Sequence, residues 1–203
     1  MGARYYTRRE LMMDAAVIKP PQGYVWVEYI TNPSTAYINT GIQEKDISQI
    51  EGDVRLNINN NATNMFMGAT DTGLYLSPTA GFFSWNGDIT INTGGSYMRF
   101  DFILRNGYVR LGTTTRTFTT KTLTSSSTIY IFARNTSTGS AEKRRARASC
   151  WGFKIYGLNG HLLRNYRPIK RLSDNKYGLW DEVNKTFNTS VTSINFTGGS
   201  IIS

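Results

Sequence analysis

The sequence has only one cysteine and one histidine among its 203 residues. A single Cys150 excludes an intrachain disulfide and a multi-cysteine metal site, and we expect it to be a small buried hydrophobe. No stretch approaches the roughly 18 apolar residues that a membrane helix needs. The amino terminus also lacks an apolar run of signal-peptide length after its charges. We therefore expect neither membrane insertion nor export by a cleaved signal.

Charged residues make up only 18% of the chain, below the roughly 25% that is usual. In their place are 12 Tyr, 10 Phe and 19 Gly, together with many Thr, Ser and Asn. Aromatic and β-branched residues favour strands, whereas the scarce Lys, Glu, Leu and Ala favour helices. The composition excludes a helical bundle and predicts an all-β protein, long enough to bury a full core.

Residues 1–22 differ in composition from the rest and are predicted to form a separate N-terminal segment. A short helix-permissive run at residues 10–16 is followed by Pro20 and Pro21, which end a helix and form an extended connector. The segment is either a disordered leader or an arm that orders against a partner, and its apolar side chains favour the arm. The residues predicted to anchor it are Arg4, Tyr5, Tyr6, Arg8, Arg9, Leu11, Met12 and Met13.

Residues 23–203 have the pattern of many short strands separated by Gly, Asn, Asp, Ser and Thr. Residues 54–58 alternate apolar and polar, which is typical of a half-buried strand. Asn159 and Gly160 separate two apolar segments and predict a hairpin with a two-residue type I′ turn. A dozen or more such strands predict one domain, a two-sheet antiparallel sandwich of jelly-roll type.

The residues that enzymes use are few and poorly placed for catalysis. His161 directly follows the predicted turn, where exposure is expected. Glu44 with Asp46, and Glu51 with Asp53, have the i, i+2 spacing that puts two carboxylates on one strand face, as in sandwich-type glycosidases. Both pairs lie beside turn-like sequence without an adjoining aromatic for a sugar. A solvated surface is favoured over a glycoside hydrolase, and no catalytic residue is predicted.

A carbohydrate site is predicted where an aromatic side chain leads into a polar turn. Trp85, Asn86 and Asp88 combine a ring for stacking with hydrogen-bonding groups. The alternative for Trp85 is a core tryptophan at the end of a strand. Asp71 and Asp88 would supply at most one or two ligands to a calcium ion, so neither a metal nor another cofactor is predicted.

The chain carries 23 basic and 14 acidic residues, a net charge of +9, which favours an acidic partner. The densest basic run is residues 141–148. It contains no aromatic side chain on which a base could stack, so a solvated face or a protein contact is favoured over nucleic acid.

Six short segments between residues 24 and 199 form an ordered set of motifs. They are residues 27–41, 67–69, 129–135, 154–168, 170–181 and 183–189. In this order they resemble concanavalin A-like sandwich domains of phage and prophage genes from gut bacteria. The first segment, VEYITNPSTAYINTG, resembles the opening EYI-x-S-(S/T)-G-x-Q-YI-D-TG of that family, with Asn39 where the family often has Asp. The fourth, KIYGLNGHLLRNYRP, resembles KIYD-NG-x-LVRDFVP.

The resemblance implies a fold and a setting but no catalytic set, because its motifs consist of turns and core residues. It implies a display role on a virion or a cell surface, often on tails, fibres or capsid decorations, and sometimes with glycan binding. We expect a capsid auxiliary or decoration protein, anchored by its arm to other virion proteins. The alternative is a tail, fibre or baseplate module that binds cell-surface or mucus carbohydrate for host adhesion. A shaft-forming coiled coil or β-helix, which a fibre needs, is not seen in the sequence.

Overall fold

The computed structural model describes residues 19–33, 35–56, 64–76, 80–92, 99–135 and 147–202. Within these residues the chain is all-β and forms two antiparallel sheets packed as a sandwich, as the composition predicts. One short 3₁₀ helix, Glu44–Asp46, interrupts the described strands.

The larger sheet has 11 strands. Their bounds are β1 (Tyr24–Trp26), β2 (Ile30–Thr31), β4 (Ile47–Leu56), β9 (Phe100–Arg105), β10 (Tyr108–Leu111), β11 (Thr114–Thr117), β13 (Ala148–Gly157), β14 (Leu162–Arg171), β15 (Tyr177–Asp181), β16 (Thr186–Asn188) and β17 (Thr197–Gly198). The main order is β11-β10-β9-β4-β13-β14-β15-β16, with β1 paired to β14, β2 to β13, and β17 to β2.

The smaller sheet has six strands in the order β3-β12-β5-β6-β7-β8. Their bounds are β3 (Ile38–Gln43), β5 (Asn64–Gly68), β6 (Thr72–Leu76), β7 (Ala80–Trp85), β8 (Asp88–Asn92) and β12 (Thr128–Ile131).

Phenylalanine rings from both sheets meet in the core. Phe66 of β5 and Phe83 of β7 face Phe102 of β9, with ring centroids 6.2 and 6.3 Å from it, and Phe153 of β13 lies 6.3 Å from Phe102. Gly52 of β4 packs directly against these rings. A Cβ at this position would lie only 2.5 Å from Phe102 Cε1, so the absence of a side chain makes room for the phenylalanine. Alternation along each strand therefore directs one face into the core and the other outward.

The predicted hairpin between β13 and β14 is confirmed, but the predicted turn type is wrong. Phe153 pairs with Tyr166 in antiparallel register. The amide of Gly160 donates to the Gly157 oxygen at 2.8 Å, and the amide of Gly157 donates to the His161 oxygen at 2.9 Å. Of the two turn residues only Gly160 has positive φ, at 79°. Because Gly157 and His161 form the closing pair, the loop contains the three residues 158–160. It ends in a left-handed glycine, as three-residue hairpin loops commonly do.

The last described residues of the chain lie beside β1 and the residues after it on the larger sheet. Val27 forms an antiparallel bridge with Ile201. The amide of Ile202 donates to the Trp26 oxygen at 3.0 Å, and the amide of Glu28 donates to the Ser200 oxygen at 2.9 Å. Residues 200–202 therefore pair with the end of β1 and the two residues that follow it.

Candidate functional site

The single histidine and the single cysteine have the environments that the sequence predicts. His161 is exposed at the hairpin loop. Cys150 is fully buried in β13, and burial raises the pKa of its thiol to about 12. A thiol with so high a pKa is a poor nucleophile, since the reactive species is the thiolate.

The expectation of a solvated carboxylate is wrong for Glu44. Glu44 lies in the 3₁₀ helix and is completely buried. Its Oε2 accepts hydrogen bonds from the amides of Asp71 and Thr72, both at 2.9 Å, and from the Thr72 hydroxyl at 3.0 Å. Asp46 is exposed in the same short helix, so the pair does not share a strand face. Glu44 joins this helix to the turn before β6.

Glu51 and Asp53 lie on the outer face of β4, and each is held by neighbouring side chains. Asp53 accepts two hydrogen bonds from the Arg99 guanidinium, at 2.9 and 2.7 Å. Glu51 accepts a hydrogen bond from the Tyr156 hydroxyl at 3.2 Å. Partial burial, followed by the charge of Glu51, raises the pKa of Tyr156. These carboxylates therefore take part in the side-chain network of the sheet.

The structure places the predicted carbohydrate residues around the end of β7. Trp85 is 2% exposed, and its Nε1 donates to the Lys121 oxygen at 3.1 Å. The ring of Trp85 is thus part of the core, which is the alternative that the sequence left open. Asn86 is exposed and donates to the Thr122 oxygen at 3.1 Å. Asp88 begins β8, but its side chain lies outside the description, so sugar binding at this turn stays a prediction.

The predicted anchoring residues lie outside the described residues. They are Arg4, Tyr5, Tyr6, Arg8, Arg9, Leu11, Met12 and Met13. Most of the basic run, residues 141–146, also lies outside them, whereas Arg147 is described and exposed.

A cleft that the sequence did not predict lies on the outer face of the larger sheet, beside the point where the chain enters it. Its volume is about 410 Å³. We call it the terminal cleft. Its lining combines apolar and aromatic side chains with polar and charged ones, namely Lys19, Pro21, Trp26, Leu162, Asn165, Trp180, Glu182, Val183 and Lys185.

Strand register explains why two tryptophans meet in the terminal cleft. Trp26 of β1 pairs with Ile169 of β14, and Trp180 of β15 pairs with Arg167 of the same strand. Since Tyr166 of β14 faces the core, the odd-numbered Arg167 and Ile169 face outward with their partners. The Arg167 guanidinium lies 4.2 Å from the centroid of the Trp26 ring, a cation–π contact.

Further aromatic contacts extend this outer face toward the edge of the sheet. The Tyr24 ring lies 5.7 Å from Trp180 and 5.4 Å from Phe187 of β16. The Arg171 guanidinium lies 4.7 Å from the Phe187 ring. Arg171 also donates two hydrogen bonds to Asp174, which lower the pKa of that carboxyl to about 2.

Polar groups border the terminal cleft and fix the loop after β15. Glu182 accepts a hydrogen bond from Asn165 Nδ2 at 2.6 Å. Asp181, 1% exposed, accepts from the amides of Asn165 and Val183 at 3.2 and 3.0 Å and from Asn184 Nδ2 at 2.7 Å. These bonds hold Val183, which is 42% exposed, at the rim of the cleft.

The only signal of the cleft in the sequence is the spacing of large side chains at alternate positions. Tyr24 and Trp26 have the separation of two residues that places them on one strand face. Nothing local indicates that the strand containing Trp180 lies opposite them. The pairing of β1 and β15 with the two edges of β14 brings the rings together.

Comparisons with protein-family models, with curated proteins and with solved structures found no match to this chain. The described part of the chain contains no helix long and apolar enough to cross a membrane. Nor do the described residues include a group of three or more His, Cys, Asp and Glu side chains able to hold a metal ion.

Proposed function

We propose that the chain is a non-enzymatic structural protein of a phage particle, a capsid auxiliary or decoration protein. An N-terminal arm anchors it to other virion proteins and displays a lectin-like sandwich of the concanavalin A-like, jelly-roll type. The resemblance of its motifs to phage sandwich domains supports this setting. The arm supplies the attachment, and the particle surface is where the protein acts.

The observation that carries the proposal is the position of the chain ends. Lys19 lies at the terminal cleft, and the Ile202 amide bonds to Trp26 in the same region. Ile201 and Ile202 are 60% and 46% exposed, so this part of the surface presents apolar side chains beside the origin of the arm. Clustered exposed apolar groups mark contact surfaces. A module attached here leaves the rest of the sandwich available for display.

The described carboxylates also support a structural protein. Glu44 and Asp181 are buried acceptors of several hydrogen bonds, while Asp53 and Asp101 are paired with Arg99 and Arg110. Each has a defined structural role, whereas a glycosidase needs two carboxyl groups facing each other across an open cleft.

A carbohydrate-binding tail or baseplate module for host adhesion is the second candidate. The observation that favours it is the partly buried Trp180, which lines the terminal cleft together with Asn165 and Glu182, because sugars combine ring stacking with amide and carboxylate hydrogen bonds. A glycan array with the full chain tests it. Absence of any glycan signal above background would remove this candidate.

Particle association tests the main proposal. Antibodies raised against the purified protein should detect it in gradient-purified particles of a phage that carries the gene. In an add-back assay with particles lacking the protein, the full chain should bind and a chain of residues 19–203 should not. A triple variant Arg4→Ala, Arg8→Ala, Arg9→Ala should bind more weakly, while Arg116→Ala, at an exposed position of β11, is the matched control. A protein absent from purified particles would refute the proposal.

A further inference from the structure

The terminal cleft presents one aromatic ring that a ligand can reach. Trp180 of β15 lines the cleft and is partly buried, with the Tyr24 ring 5.7 Å from its own. Trp26 also lines the cleft, but it is 4% exposed and the Arg167 guanidinium lies 4.2 Å from its ring centroid. Trp180 is therefore the ring on which the apolar face of a ligand can lie.

The side chain of Asn165 adds hydrogen-bonding groups of both kinds to the cleft. Its Nδ2 donates to Glu182 Oε2 at 2.6 Å. Because a carboxylate only accepts hydrogen bonds, this contact fixes which end of the amide faces Glu182. Within the described part of the chain, neither Oδ1 nor the second Nδ2 hydrogen of Asn165 has a protein partner. A ligand hydroxyl can donate to the first and accept from the second.

The loop after β15 holds Lys185 beside these groups. Asp181 accepts from the Val183 amide at 3.0 Å and from Asn184 Nδ2 at 2.7 Å, and the Lys185 amide donates to the Asp181 oxygen at 2.8 Å. Lys185 has a positive φ of 56°, which a residue other than glycine keeps only where its surroundings impose it. The backbone of the loop is thus ordered before a ligand arrives, so binding costs less conformational entropy.

The charges of the terminal cleft favour an anion. Lys19 and Lys185 line it and are exposed, and neither belongs to an ion pair among the described residues. Glu182, the one acidic residue among the described lining residues, has the Arg167 guanidinium 3.9 Å away. Two ammonium groups therefore lack a protein counter-charge, whereas the carboxylate has one. A concave surface with such an excess attracts ligands of negative charge.

We propose that the terminal cleft binds an acidic sugar, a uronic-acid-type residue of a glycan that carries a carboxylate. The sugar ring lies on Trp180, its hydroxyls bond to Asn165, and its carboxylate pairs with Lys19 and Lys185. The cleft volume of about 410 Å³ falls within the range of small-molecule sites, roughly 300–1,000 Å³. The inference rests on the carbohydrate-binding candidate proposed above, for which it names the site and the class of sugar.

Isothermal titration calorimetry on the full chain tests this inference with matched sugars. The probes are a trimer of galacturonic acid and a hyaluronan tetrasaccharide, each compared with its methyl ester, which keeps the ring and removes the charge. An exposed ion pair contributes roughly two- to five-fold to affinity, and two lysines are available. We therefore expect at least one acid to bind about five- to twenty-fold more tightly than its ester.

Two variants and a control locate the binding. Lys185→Gln should weaken binding of the acid by roughly two- to five-fold and leave binding of the ester unchanged. Lys45→Gln removes the same charge at an exposed position of the 3₁₀ helix, outside the cleft lining, and should bind as the native protein does. Trp180→Ala should weaken binding of acid and ester alike. Far-ultraviolet circular dichroism checks its fold, and Lys185→Gln decides the result if that variant does not fold.

The results separate failure of this inference from failure of carbohydrate binding. Equal affinity for acid and ester would overturn the acidic preference, and equal weakening by Lys185→Gln and Lys45→Gln would overturn the site. Acid binding that a folded Trp180→Ala leaves unchanged would overturn the stacking that places the sugar in the cleft. Glycan-array signals without binding of either acidic probe would refute this inference alone. A blank array together with no binding of any probe would remove the carbohydrate-binding candidate as well.

Discussion

Replacement of Glu44 by alanine removes an acceptor that holds three donors from one turn. The amides of Asp71 and Thr72 and the Thr72 hydroxyl all donate to Oε2, and the side chain is completely buried. A buried donor that loses its acceptor costs roughly 1–3 kcal/mol. Because the three donors share one oxygen and water can enter the vacated space, we expect the free energy of unfolding to fall by about 3–5 kcal/mol rather than by the full sum.

Guanidinium chloride unfolding, followed by tryptophan fluorescence and by far-ultraviolet circular dichroism, measures this loss for Glu44→Ala. With a denaturant slope of roughly 4 kcal/mol per molar for a chain of this size, the midpoint should move down by about 1 M. Coincident transitions by the two probes would justify a two-state treatment. The glutamine variant keeps one carbonyl oxygen at the same place, so its midpoint should lie between those of alanine and the native protein.

The matched control is Asp46→Ala, two residues along the same 3₁₀ helix. Asp46 is exposed, so its loss should change the free energy of unfolding by no more than roughly 0.5 kcal/mol. If Glu44→Ala and Asp46→Ala unfold at the same midpoint, the three hydrogen bonds to the buried Glu44 carboxylate do not stabilise the fold.

Two further predictions concern packing and pH. A Cβ at Gly178 would lie 2.7 Å from the Phe187 ring and against the backbone oxygen of Asn188, both in the neighbouring strand β16. Gly178→Ala should therefore lower the thermal midpoint in calorimetry. A Cβ at Gly152 would make only an ordinary contact, so Gly152→Ala should have a thermal midpoint close to that of the native protein. Burial raises the pKa of Cys150 and of Tyr166 to about 12, from 9.0 and 10.0. The unfolded chain then releases these protons at lower pH than the folded one, so stability present below pH 9 is lost between pH 9 and 12. Cys150 alone accounts for about 4 kcal/mol of that loss. Urea midpoints at rising pH measure it, and an unchanged slope in Cys150→Ala would contradict the assignment.

The class of fold could be predicted because it depends on local chemistry. Alternation at period two and abundant aromatic residues give sheets, and clusters of turn residues divide the chain into strands. The hairpin between β13 and β14 was predictable in the same way from Asn159 and Gly160. Its turn type was not, because only Gly160 adopts positive φ once the register of the two strands is set.

The candidate residues were harder to predict, because burial depends on distant partners. Local polarity indicates that Glu44 is exposed, but its three donors come from residues 27 and 28 positions later in the chain. For Trp85 the local pattern leaves both an accessible ring and a core ring open, and only the packing of the sandwich decides for the core, with the side chain 2% exposed and its Nε1 donating to the Lys121 oxygen.

An all-β chain, a buried Cys150 and an exposed His161 follow from the sequence, since strand propensity and hairpin position are local properties. The terminal cleft depends on the tertiary structure, because β1 and β15 pair with opposite edges of β14 and bring Trp26 and Trp180 onto one face. Strand pairing between segments so far apart follows from the packing of the whole core, and no local pattern along the chain specifies it.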